Sequence, residues 1–161
     1  MIAIGCDFVA FELKMQFIEY FKERNLEYKD FGCYDTSFSQ YPHTGYPLAL
    51  AVAAQECECG LLLCGTGLGM SMVANKVKGI RAACVSDCYS AKMAKEHNNA
   101  NVLTMGARVV GFEYARMIFE QWYDTDYDPE HDIRVNMITE IEQTGALVIE
   151  VEKKAPERKP H

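Results

Sequence analysis

The sequence predicts an α/β domain: a five-stranded, mostly parallel sheet with helices on both faces. Three observations carry that prediction. Short apolar runs alternate with helix-length stretches along most of the chain. Runs such as "CGLLLCG" lack the polar alternation of half-exposed strands, as strands covered on both faces do. Finally, 161 residues that are 49% apolar suffice for one sizeable core.

"MIAIGCD" reads as the first strand, ending at Asp7, and "FELKMQFIEYFKERN" as a helix with Phe11, Met15, Ile18 and Phe21 facing inward. "EYKDFGCY" is a weaker second strand. An irregular "DTSFSQYPHTG", carrying Tyr41, Pro42 and His43, leads into the alanine-rich helix "YPLALAVAAQE". "CGLLLCG" is a wholly apolar third strand, followed by the helix "MSMVANKV". "GIRAACVS" reads as another buried strand, and "DCYSAKMAKEHN" as a helix capped by Asp87. "ANVLTMG" is the last core strand and "GFEYARMIFEQWYD" the next helix. A loop and a helix carrying Val135, Ile138 and Ile141 on one side come next. The stretch "ALVIEV" is expected to form an added strand or to pack on a partner, and "EKKAPERKPH" to be loose in solution.

A formal net charge of −7 provides no positive field for DNA or an anionic membrane. No apolar stretch approaches the ~20 residues that span a bilayer, and the start "MIAIGCDF" lacks the pattern of a signal peptide. A cytoplasmic protein with no nucleic-acid or membrane partner is expected. The seven cysteines are odd in number and are read as reduced thiols, since the core needs no staples. Their spacing matches no paired zinc motif.

"LLLCGTGLGMS" is the most informative stretch. Ligands of open α/β sheets bind beyond the carboxyl ends of the strands, where Asp7, Cys64, Asp87 and the turn "GTGLGM" all fall. Amides of a glycine-rich turn entering a helix form an anion-binding hollow, and Gly65, Gly67 and Gly69 permit close approach to a ligand. The positive end of a helix favours the thiolate form of a nearby cysteine, so Cys64 is a candidate base or nucleophile. Two other readings stand beside this one: a buried strand-end cysteine before a tight connection, and a dinucleotide fingerprint. The third glycine arrives one residue early for GxGxxG, and no GK[ST] follows for a P-loop.

"GCD" with "FELK", "YPH", "CGTGLGMSMVANKVKGIRAA", "SDCYSAKMAKEHNNANVLTMGARVVG" and "HDIRV" occur in order. Together they resemble the ribose-5-phosphate isomerase B family, which includes the galactose-6-phosphate isomerase subunits. The resemblance spans residues 1–143 as one sugar-phosphate isomerase domain and leaves 144–161 as an extension. It implies a Rossmann-like three-layer α/β/α sandwich and a metal-independent, cofactor-free aldose–ketose isomerase working through an enediolate. A homodimer, or a tetramer of dimers, with shared active sites is also implied.

By that resemblance Cys64 is the base that moves the proton between C2 and C1. The amides from Gly65 to Met70, with Gly67 and Gly69 between them, are the anion hole. Thr66 and His97 assist ring opening, and Asp7 holds substrate hydroxyls. Asn98 hydrogen-bonds the substrate, Tyr41 and His43 sit in a loop that lines the pocket, and Arg108 and Arg134 serve the phosphate, one of them reaching in from a neighbouring chain. A non-catalytic sugar-phosphate-binding protein or a partner-dependent subunit is the alternative, and a redox role for Cys64 a lesser one.

Two positions depart from the family pattern. Enzymes acting on ribose 5-phosphate read "CDH" or "SDH" where this chain has "CDF", so Phe8 replaces a histidine that contacts phosphate. They read "GGRHxxRV" where this chain has "DPEHDIRV", so Glu130 replaces an arginine of the phosphate clamp. The expected substrate is therefore a sugar phosphate other than ribose 5-phosphate, with Phe8 packing on a less polar part of it.

Overall fold

The computed structural model describes residues 1–148. Five strands form one sheet: β1 (Ile2–Cys6), β2 (Tyr28–Asp30), β3 (Cys59–Cys64), β4 (Ala82–Cys84) and β5 (Val102–Gly106). Their order is β2-β1-β3-β5-β4, and every pairing is parallel. Side chains alternate across it. Ile2, Ile4, Leu61, Leu63, Leu103 and Met105 face one layer, made of α1 (Phe11–Glu23), α4 (Cys88–Glu96) and α5 (Phe112–Tyr123). Ala3, Leu62, Cys64 and Val102 face the other, made of α2 (Tyr41–Ala53) and α3 (Leu68–Ala74). Because each strand buries both faces, the apolar runs lack a polar period. The result is the three-layer α/β/α sandwich.

The chain winds outward from β1 to β2 on one side, then returns past β1 to begin β3 on the other. The strand order reverses between β1 and β3, and in open α/β sheets the ligand crevice lies beyond the carboxyl ends at such a reversal. Asp7 and the glycine turn after Cys64 flank it.

Several expectations change. Tyr41, Pro42 and His43 belong to the first turn of α2 rather than to an irregular loop. Proline is at home there, because its missing N–H would have no intrahelical partner. β4 is a short edge strand with Cys84 exposed, not a buried one, because no strand lies beyond it. In α1 the inward residues are Leu13, Lys14, Phe17, Ile18, Tyr20 and Phe21, so Ile18 and Phe21 lie inward as expected. Met15 is turned outward and Phe11 is only half-buried.

Asp87 caps α4, accepting from the Ser90 amide at 2.7 Å. The last helix, α6 (Asp132–Thr144), buries Val135 and leaves Ile138 and Ile141 exposed. Gly145 ends it in the left-handed conformation, and 146–148 form no strand. The rest of "ALVIEV" and the charged tail lie outside the described residues. No helix among the described residues is long and apolar enough to cross a membrane.

Candidate active site

Cys64 closes β3 and is 95% buried, with its side chain on the layer of α2 and α3. The Gly67 amide donates to its sulfur at 3.1 Å, so the turn folds back over the thiol. Gly67 makes that possible with φ of +81°, a conformation that costs an L side chain about 1–2 kcal/mol. A Cβ there would also stand 3.0 Å from the Met105 carbonyl carbon. Gly67→Ala is accordingly expected to destabilise the fold by about 2 kcal/mol, lowering the melting temperature by roughly 4–8 °C in a thermal melt.

The other residues of this end gather around the turn. Gly69 lies under the Tyr41 ring, whose carbons would stand 2.9 Å from an added Cβ. The Leu68, Gly69 and Met70 amides belong to the first turn of α3, which leaves such donors without helical partners. Leu68 N–H reaches Thr66 Oγ1 at 3.4 Å. The Met70 side chain is fully buried under α2, leaving only its main chain toward the crevice. Arg108 lies beside Gly65, donating its amide to the Gly65 carbonyl at 3.1 Å. His43 is exposed on the first turn of α2.

Asp7 follows β1, and its amide donates to the Leu63 carbonyl, which ties it to β3. Its Oδ1 accepts from Val9 and Ala10 amides at 3.0 and 3.2 Å. Burial pushes its carboxyl above the ordinary value, while those two amides and the Arg108 charge pull the other way. Phe8 turns its ring against Phe38, with centroids 5.3 Å apart, and its amide donates to Ser39 Oγ.

His97, Asn98 and Arg134 lie elsewhere. His97 ends α4, and the following chain binds Arg81, which precedes β4: Arg81 Nε donates to the Asn98 and Asn99 carbonyls. This is the amino end of the sheet. Gly60 pairs with Val102 and Cys64 with Gly106, so the strands alone separate the two ends by roughly 13 Å. Asn98 lines a cleft of about 270 Å³ there with Asn75, Arg81 and Ile138. The His97 ring packs on His131, centroids 4.2 Å apart, and Arg134 Nη1 donates to His131 Nδ1 at 2.9 Å. Within one chain, then, Cys64 and His97 do not meet. Glu130 is exposed on the short turn Pro129–His131 beside this cluster.

His131 received no role from the sequence, although its spacing of three from Arg134 puts both on one helical face. Phe38 gave no signal, being a lone aromatic in a polar loop. No group of three or more His, Cys, Asp or Glu suited to a metal exists among the described residues.

Comparison with known proteins shows the family. The family model described as "Ribose/Galactose Isomerase" matches residues 2–138. The chain belongs to the ribose/galactose isomerase family. It is 46% identical over 143 residues to ribose-5-phosphate isomerase B of Escherichia coli, covering 88% of this chain and 96% of that one. It is 44% identical over 129 residues to D-erythrulose-4-phosphate isomerase of Pectobacterium atrosepticum, covering 79% and 84%. Among solved structures, ribose-5-phosphate isomerase B of Clostridium thermocellum superposes with a TM-score of 0.87 at 42% identity, covering 90% of this chain and 99% of that one. The protein is thus an isomerase of this family, and its parallel sheet and helices are the family's fold.

Proposed function

We propose that this isomerase interconverts the aldose and ketose forms of a phosphorylated sugar through an enediolate, with Cys64 as base. The carrying observation is the position of Cys64: at the reversal of strand order, under a turn of first-turn amides, with Asp7 across the crevice. The C2 proton of an aldose is weakly acidic, so a base must be held against it while donors meet the oxygen that gains charge. A thiol followed directly by glycine amides offers both to one small carbon unit. Thr66 and Asp7 stand at the same crevice for ring opening and for holding hydroxyls.

His97, Asn98 and Arg134 join this site from a second copy of the chain. A homodimer with two shared sites brings the amino end of one sheet to the carboxyl end of the other. The exposed Ile133, Met137, Ile138 and Ile141 of α6 give such a dimer apolar surface to bury.

The substrate is a sugar phosphate other than ribose 5-phosphate. Phe8 and Phe38 set an aromatic surface where the ribose 5-phosphate enzymes carry a cationic partner for phosphate. Glu130 adds a negative charge where they carry a positive one. Each charged hydrogen bond to phosphate contributes about 1.5–3 kcal/mol, so losing two weakens that contact by roughly two to four orders of magnitude. The chain is about as similar to a D-erythrulose-4-phosphate isomerase, at 44% identity, as to a ribose-5-phosphate isomerase B, at 46%, so sugars of both lengths belong in the test.

A panel of four- to six-carbon sugar phosphates tests this. The best substrate is expected to exceed ribose 5-phosphate by about 100-fold in kcat/KM. Ribose 5-phosphate winning by a wide margin ends the substrate reading. Deuterium wash-in at C2 from heavy water tests the base separately, and its absence with every bound sugar ends the catalytic one.

A further inference from the structure

Cys6 and Cys33 have no part in the chemistry above, yet their sulfurs lie 3.5 Å apart. Both are free thiols, Cys6 fully buried at the end of β1 and Cys33 half-buried three residues past β2. Their backbones are hydrogen-bonded side by side. Cys6 N–H donates to the Gly32 carbonyl at 2.6 Å, and Cys33 N–H to the Cys6 carbonyl at 2.9 Å. Residues paired across adjacent strands sit within the Cα separation that a disulfide spans, and only about 1.5 Å of closure separates this contact from a bond.

We propose that Cys6 and Cys33 are a site of reversible oxidation by small-molecule disulfides, and that the bond they form slows the isomerase. The Cys33 thiolate, on the accessible side, attacks one sulfur of the small disulfide, releasing one small thiolate and leaving a mixed disulfide on Cys33. Cys6 then gives up its proton and attacks the Cys33 sulfur, forming the Cys6–Cys33 bond and expelling the second small thiolate. Two protein thiols are oxidised, one small disulfide is reduced to two thiols, and the two protons pass to solvent or to those thiolates. The order of events follows from burial. Desolvation pushes the Cys6 thiol well up, with the neighbouring Cys33 adding to it and Lys14 opposing, so Cys6 is suited to the second step.

The location gives the bond a consequence. Cys6 is joined by its peptide bond to Asp7. Cys33 opens the segment whose Ser39 holds the Phe8 amide and whose Phe38 packs on the Phe8 ring. β1 is clamped between β2 and β3, so the closure is taken up by the Cys33 segment. Displacement of site groups by about 1 Å costs up to 10²-fold in rate. The bond itself is independent of the mechanism proposed for Cys64, whereas its effect on rate rests on that site.

The experiment treats the full chain with glutathione disulfide. Digestion without reductant uses trypsin and a second protease that cuts between Cys33 and Cys57, followed by mass spectrometry. A linked Cys6–Cys33 peptide is expected, with activity on the best sugar phosphate falling about tenfold and returning with dithiothreitol. Cys33→Ser, and Cys33→Ala should the serine variant melt early, are expected to keep basal activity and to lose the reversible fall. Absence of the linked peptide overturns the site. A linked peptide with unchanged activity, or equal reversible inactivation of the Cys33 variants, overturns its effect on the enzyme and points to Cys64 or another thiol. Failure of the Cys64 mechanism would leave the linked peptide in place.

Discussion

Cys64→Ala is expected to lower kcat/KM for the best sugar phosphate by about 10³-fold or more, with the melting temperature falling by only about 2–4 °C. A positioned base contributes roughly 10²–10⁴-fold, and the other thiol near the turn, Cys84, closes β4 with its sulfur 3.7 Å from the Thr66 carbonyl. The substitution removes one buried sulfur and the acceptor of the Gly67 amide, a small structural change beside the loss of the base. His97→Gln is expected to be slow as well, since ring opening loses its partner. Mixing the two variants distinguishes a site within one chain from a site between two. When the subunits reassort at random, half of the dimers are heterodimers, and each holds one site with both Cys64 and His97 intact. About a quarter of the unmutated activity then returns, from two nearly inactive proteins. Heterodimers seen by native mass spectrometry without that recovery would show that Cys64 of one chain and His97 of the other do not serve one site.

The separation of Cys64 from His97 within one chain follows from a parity that the sequence already contains. In a parallel α/β chain, whatever follows a strand lies at the carboxyl end of the sheet, and whatever follows a helix lies at the amino end. Asp7 and Arg108 come after strands and Cys64 ends one, whereas His97 and Asn98 come after a helix. The residue types and their order point to one site, the parity assigns them to two ends, and the second copy proposed above would bring the two together. The core strands were legible for a related reason, since β1, β3 and β5 bury both faces and so read as unbroken apolar runs. β4 was misjudged because "AAC" is apolar whether or not a neighbour covers it. The first turn of α2 was misjudged because Pro42 and Gly45 usually mark a break, yet a proline at the head of a helix interrupts nothing. In α1, Ile18 and Phe21 face inward as expected, while Leu13, Lys14 and Phe17 take the inward places assigned to Phe11 and Met15. Its full pattern includes Lys14, and a charged residue in a stripe is ordinarily read as the edge of the exposed face.

Lys14 is the basis of the second large effect, which is on stability. Its side chain is wholly buried, and its ammonium donates to both Asp30 oxygens, at 2.9 and 2.7 Å, and to the Cys33 carbonyl. Removing one member of such a pair strands a charge that water cannot reach, at a cost of about 3–5 kcal/mol. Asp30→Asn isolates that effect. The amide oxygen can still accept from the Gly32 amide, as Asp30 Oδ1 does at 2.9 Å, and the side-chain volume is kept. The expected loss is about 3 kcal/mol, the lower end of the range, because the Asp30 side chain is 23% exposed. For a chain of this length that lowers the melting temperature by roughly 6–12 °C. Adding Lys14→Met to Asp30→Asn removes the stranded charge and fills the same space with an apolar chain. Most of the lost stability is expected to return, because well-packed apolar replacements of buried pairs are often neutral. A single variant that melts within about 2 °C of the parent would mean that the ammonium reaches water. A double variant as unstable as the single would mean that Lys14 holds the Cys33 segment chiefly through its bond to the Cys33 carbonyl. In that case the ion pair is secondary to the anchoring of the wall beside Asp7.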